Sequence, residues 1–266
     1  KSAYRPQSGR CVFCMEIFSP EELTDEHIIP EALHGQLVIK KGSCRKCAGH
    51  SNQSYENKAI NGDFLKIART VLDLRGKSGR AVRKPRELPT VYSGSQFSGN
   101  IGPPIKKFPV ESYPKVFQLP QFERAGFLSG LNRGANRCKP RFRAYYAGKP
   151  TEPFNHGEFT LELNCEEQPF ALMIAKIAYC FAMAELGFDN FNGTEMRDLL
   201  SGKRYDLYNF VGNTERPIRL TDRHLHKLYL REHDGFVVVL VDLFASFKGQ
   251  DGLTQPYEVV VGQQLA

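Results

Sequence analysis

Four cysteines fall in two C-x-x-C pairs, Cys11/Cys14 and Cys44/Cys47, with some thirty residues between the pairs. A tight turn within each pair brings two sulfurs to one centre, so the two pairs together can enclose a tetrahedral Zn²⁺. Four thiolates close the coordination sphere, which makes such a zinc structural and not catalytic. The first ten residues, KSAYRPQSGR, are basic but no apolar run follows, unlike a secretory leader. Paired C-x-x-C without a leader points to metal in a reducing, cytoplasmic compartment and not to disulfides. Cys138, Cys165 and Cys180 are scattered and read as buried free thiols. Between the two pairs stands Leu23-Thr24-Asp25-Glu26-His27-Ile28-Ile29-Pro30-Glu31-Ala32-Leu33. Here a histidine follows two acids and precedes a short apolar run. Imidazole titrates near neutral pH and can take a proton from water.

The string E-H-I-I-P-E-A-L inside a C-x-x-C…C-x-x-C frame resembles the HNH endonucleases. The resemblance covers about Cys11 to Asn61, a fifth of the chain. It implies a ββα-metal fold, in which a β-hairpin and a helix surround one divalent ion. Carried onto this sequence, His27 is the general base and Glu26 the acidic metal ligand before it. Asn52, five residues beyond Cys47, is the helical ligand. Asp25, His50 and Glu56 are the alternatives, Glu56 lying one turn beyond Asn52. The implied ion is Mg²⁺ or Mn²⁺ on hard oxygen donors. The implied reaction is hydrolysis of a phosphodiester by in-line attack of water, on DNA before RNA.

The chain departs from the family pattern in three places. The residue before His27 is Glu where the family usually has Asp. Gly35 follows only after His34. The middle Asn, expected shortly before the second cysteine pair, is absent: the segment reads LVIKKGSC. In the family that Asn holds the backbone near the base histidine, so in this chain either another group does so or His27 is less well oriented. One metal site cuts one strand, so a double-strand break calls for two sites, and a homodimer is one way to supply them. A small nuclease head on a larger unrelated domain also suits restriction or anti-phage defence, by analogy. The competing readings are a zinc fold that grips nucleic acid without cutting it, and a regulator dominated by the remaining chain.

Charge is distributed unevenly. The chain of 266 residues carries a net +7. Lys40 to Arg86 alone holds thirteen basic residues against Glu56, Asp63 and Asp73, a larger excess than that of the whole chain. Lys40, Lys41, Arg45 and Lys46 flank the second cysteine pair and are placed to touch a phosphate backbone, with Arg69 and Arg75 extending the track. Arg133 to Arg143 forms a second basic cluster. His224 and His226 alternate in a way that fits a metal pair less well than a solvated strand.

The elements expected to position these residues form an α+β protein. A small zinc-bound ββα-metal module (1–75) precedes a Gly/Pro/Ser-rich basic linker (76–107) and a larger mixed α/β domain (108–266). Helices are expected from about Ala48 to Asn61, from Asp63 toward Gly76, over Pro169 to Leu186, and as a short surface piece over Glu195 to Arg204. Phe159–Leu163, Phe236–Phe244 and Tyr257–Val261 read as strands. No stretch reaches the ~20 apolar residues of a membrane span, so no membrane partner is expected.

Overall fold

The computed structural model describes residues 3–4, 9–74, 87–93, 105–109, 116–134, 141–146, 158–160, 166–219, 224–247 and 253–265. The fold opens with a three-stranded sheet. β1 (Ala3–Tyr4) runs parallel to β3 (Val38–Cys44), and β2 (Leu23–His27) pairs with β3 as an antiparallel hairpin. Thr24 faces Ser43, while Glu26 faces Ile39 and His27 faces Val38, so the register shifts around Asp25. Lys41, opposite this shift, has φ +53°. Along β2 this shift breaks the two-residue alternation, so that Leu23 and Glu26, three positions apart, are both buried while Asp25 is exposed.

Pro30 leads into a 3-10 turn, Glu31–Leu33, which His34 closes with a left-handed φ of +63°. β3 then passes directly into a helix. α1 (Arg45–Ser51), a π segment (Asn52–Glu56) and α2 (Asn57–Asn61) are continuous. The helix starts three residues before the expected Ala48 because Cys44 caps it: its Sγ accepts the Cys47 N–H at 3.4 Å. It ends at Asn61, before Gly62, as expected. α3 (Asp63–Val71) is amphipathic, burying Phe64, Leu65, Ile67 and Ala68. It is capped by Gly62 and stops at Val71, well short of Gly76.

Within the expected linker, β4 (Glu87–Ser93) is a strand, and β5 (Ile105–Pro109) begins inside the same stretch. Residues 75–86 and 94–104 lie outside the described residues. β4 pairs with β5 and, on its other edge, with β8 (Glu158–Thr160). β6 (Val116–Gln121) pairs with β7 (Arg141–Tyr146), and the short α4 (Gly126–Ser129) lies between them in the chain. The second half is built around α5 (Glu167–Leu186), which Gly187 terminates at φ +82°. β9 (Phe191–Asn192), α6 (Thr194–Leu200), α7 (Leu207–Phe210), β10 (Val211–Asn213), β11 (Ile218–Arg219), β12 (Lys227–His233), β13 (Phe236–Asp242), β14 (Leu253–Thr254) and β15 (Tyr257–Gln264) follow. β10, β15, β13 and β12 form one sheet in that order, with β9 on β15. Among the described pairings only β1–β3 is parallel.

α5 is long and apolar enough to cross a membrane, contrary to the expectation that no segment would be. In this fold it is the core helix, and thirteen of its residues are buried. One face meets the central sheet through Phe170, which stacks edge-on against Tyr257. Another meets the helix that follows the cysteine pair. A single apolar cluster therefore runs from Val12, Ile28, Leu33 and Tyr55, through Ile174 and Ile177, to Val239 and Val259.

Candidate functional site

The four cysteines converge. Their sulfurs lie within 4.8 Å of one another, a spread that suits thiolates around one tetrahedral ion about 2.3 Å from each sulfur. Each pair is shaped by its own turn. Cys11 accepts the Met15 N–H on its carbonyl, and Met15 takes φ +65° to close the knuckle. Cys44 caps α1, and its backbone N–H donates to Cys11 Sγ at 3.3 Å. Donation from Cys47, helped by backbone N–H groups, holds the Cys11 thiol down at about 5 against the opposing effect of burial. Burial pushes Cys14 up to about 11. The Cys47 thiol is raised in turn by its bond to Cys11 and by burial. Protons are thus shared unequally within the cluster, and a bound cation would displace them all.

Against this frame the hairpin presents His27 at the end of β2, with its side chain 24% exposed and Nε2 3.9 Å from Glu31 Oε2. The same hairpin runs on through β3 into the helix. Residues 11–63 match the family model described as HNH endonuclease. Over this segment the chain is similar to an HNH endonuclease domain. No curated protein and no solved structure matches the chain.

Glu26, the residue before His27 in the HNH domain, is 6% exposed and turned inward. Its Oε2 accepts from Ser43 Oγ at 2.7 Å, and its Oε1 lies 2.5 Å from Lys176 Nζ. Lys176 comes from the middle of α5 and is 1% exposed. Its ammonium also lies 3.0 Å from Glu56 Oε1, on the π segment, and donates to the His27 carbonyl at 2.6 Å. Burial alone would depress the ammonium, but Glu26 and Glu56 outweigh it and hold Lys176 well above the ordinary lysine range.

Asn52, in contrast, is exposed, and its side chain makes no hydrogen bond among the described residues. The structure therefore brings Glu26 together with Glu56, not with Asn52. The π winding, with the Asn57 N–H reaching back to the Asn52 carbonyl, changes the angular step between Asn52 and Glu56. Asp25 is at the surface, where Lys40 Nζ at 2.6 Å and the Lys41 N–H at 3.1 Å occupy its carboxylate. His50 Nδ1 lies 3.3 Å from Ser54 Oγ. A divalent ion needs a set of free oxygen donors facing one point. Glu26 and Asn52 do not form such a set here, because the Glu26 oxygens are taken by Lys176 and Ser43.

The basic residues around the second cysteine pair are exposed. Lys41 Nζ reaches the Leu23 carbonyl at 3.3 Å. Lys46 and His50 line a cleft of about 390 Å³ beside Cys14 and Cys47, where Arg197 and Lys203 of the α6 region join them. Composition around the cysteines did not show these two contributions. Arg69 does not extend the track: it is buried at 9% exposure, its guanidinium 3.5 Å from the Ile60 carbonyl. Arg75 lies outside the described residues. Of the second cluster, Arg133 pairs with Glu123 and donates to the Arg124 carbonyl, while residues 135–140 lie outside the described residues. Cys180 is a buried free thiol, and Cys138 and Cys165 lie outside the described residues. His226 is structural. The Phe244 N–H donates to its Nδ1 at 3.2 Å, leaving Nε2–H to meet the Leu33 carbonyl at 2.6 Å.

Sequence reading missed Lys176 and Glu31. Lys176 had one visible signal: it is the only charged residue in the otherwise apolar run Pro169–Met183. Which element that charge would meet was not written in its neighbours.

Proposed function

We propose that this protein is an endonuclease that hydrolyses DNA phosphodiesters, with His27 as the general base and Zn²⁺ as the structural ion held by Cys11, Cys14, Cys44 and Cys47. The observation that carries the reading is His27 at the end of the hairpin strand, partly open to solvent, in a domain that matches the HNH endonucleases. The neutral imidazole takes a proton from water. The hydroxide oxygen bonds to phosphorus in line with the 3′ oxygen, which leaves with the bonding electron pair and is protonated from solvent. Glu31, 3.9 Å from the imidazole, favours the imidazolium that forms. Lys40, Lys41, Arg45 and Lys46, with Arg197 and Lys203, supply the field that holds the phosphate backbone. The Mg²⁺ or Mn²⁺ used by the family would neutralise charge at the leaving oxygen. The Glu26 carboxylate is engaged by Ser43 and Lys176 and is not a free donor for that ion.

The test is incubation of wild type and His27→Ala with supercoiled plasmid, with Mg²⁺, with Mn²⁺ and with chelator. Wild type is expected to nick or linearise the plasmid, and the variant to be slower by about 10²–10⁴-fold while still binding. Cleavage that survives in His27→Ala removes His27 as the base. Salt-sensitive binding without cleavage by either protein replaces this reading with a zinc-dependent binding module.

A further inference from the structure

We propose that Lys176, from the core helix α5, is the positioning residue that holds His27 in place, so that the nuclease site is completed from outside the HNH domain. This rests on His27 being the base. An ammonium has three N–H donors. Those of Lys176 face Glu26 Oε1 at 2.5 Å, the His27 carbonyl at 2.6 Å and Glu56 Oε1 at 3.0 Å. All three acceptors belong to the HNH domain, and two belong to consecutive residues of β2. Gripping the Glu26 side chain and the His27 carbonyl fixes the backbone on both sides of the His27 Cα, and the direction of the imidazole follows from that backbone.

The hairpin register alone does not do this. His27 is the last residue of β2 paired with β3, and its carbonyl faces α5. The third contact, to Glu56, fixes the distance between the hairpin and the helix. A charge at 1% exposure inside an apolar helix is costly to bury. An apolar side chain would pack at this position of α5 without that cost. What the lysine adds is a specific set of bonds around the residue whose placement sets the rate, and small misplacements of a reacting group slow a reaction by about 100-fold. The segment LVIKKGSC contains no Asn to hold this backbone, and Lys176 does so from 149 residues away.

The experiment compares three full-length proteins: wild type, the double variant Glu26→Gln/Glu56→Gln, and the triple variant that adds Lys176→Met. The double variant keeps the lysine, which without its carboxylate partners sheds a proton and as a neutral amine still donates to the His27 carbonyl, so its fold is checked by the same melt. The triple variant leaves no unpaired buried charge, so it keeps its fold where Lys176→Met alone strands the Glu26 and Glu56 carboxylates. Zinc content, thermal melting, hydrogen exchange of residues 23–34, and kcat and KM on plasmid are measured. The triple variant is expected to keep its zinc and a cooperative melt, to exchange faster across residues 23–34 than the double variant, and to have kcat lower by about 100-fold at a similar KM. Equal kcat in the double and triple variants overturns the proposal and leaves Lys176 as a counterion. So does a kcat loss that appears only together with lost zinc or a lost melt. If wild type cuts no plasmid, the nuclease reading fails separately; exchange then decides, and unchanged protection across residues 23–34 overturns the positioning role.

Discussion

Two residues in the cysteine cluster play different parts although their spacing is the same. Cys11 accepts hydrogen bonds and is held toward the thiolate, whereas Cys44 is both a ligand candidate and the cap of α1. Replacing Cys44 thus removes one of the four clustered sulfurs and loosens the start of the helix that carries Glu56. Cys44→Ser keeps an oxygen able to cap but loses the soft ligand that zinc prefers. The expected result is metal content falling from one zinc per chain to near zero and a loss of at least about 4 kcal/mol of stability. Release of zinc to a chromophoric chelator and a denaturant titration measure both. A Cys44→Ser protein that retains a full equivalent of zinc would show that the sulfurs do not hold it together.

At the scale of elements, the site depends on how the chain leaves β2. Ile28 and Ile29 are buried, Pro30 starts a 3-10 turn, and His34 closes it in the left-handed region. Gly35 follows with no room for a side chain: a Cβ there would stand 2.0 Å from the Ile29 carbonyl oxygen. The obstacle is backbone and cannot swing away. Relieving it would move Ile29, and Ile29 is two residues from His27. Gly35→Ala is therefore expected to cost about 1–3 kcal/mol and to lower cleavage beyond its effect on folding. A melting curve with an activity assay well below the midpoint separates the two effects. An alanine variant as stable and active as wild type would mean the turn relaxes freely.

The whole molecule places the HNH domain on α5 and not on a tether. Among the described residues, three side chains from beyond it donate to its backbone carbonyls, in addition to the ion pairs of Lys176: Lys176 to His27, Tyr179 to Val12 at 2.7 Å, and His226 to Leu33. Leu33, Tyr55 and Leu65 belong to the same apolar cluster as Ile174 and Ile177. A fragment of residues 1–75 would expose this surface and leave Glu26 buried beside Glu56 without a counterion, which a zinc staple does not repair. The fragment is expected to bind zinc yet show no cooperative unfolding and no cleavage, as followed by circular dichroism and the plasmid assay. A folded, active fragment would show that the remaining chain contributes neither the core nor the site.

The local parts of this protein were legible in the order of its residues. The C-x-x-C spacing set the sulfur cluster, because two sulfurs on one turn are neighbours whatever surrounds them. The acid-histidine string inside that frame marked His27. The apolar run ending at Gly187 gave α5 almost to the residue, and the β-branched runs gave β13 and β15. These features follow from periods of two or 3.6 residues and from turn chemistry, which act over a few positions. Tertiary structure alone decided what the site residues face. The same acid that local pattern offers to a metal is turned into the interior by the register shift around Asp25. There a lysine from the centre of an apolar helix meets it together with Glu56 and the His27 carbonyl. Arg69 was legible as basic but not as buried, since one charge in an amphipathic helix does not say which helix will cover it. The physical reason is the same throughout: spacing fixes which side chains share a face, and only packing fixes what that face touches.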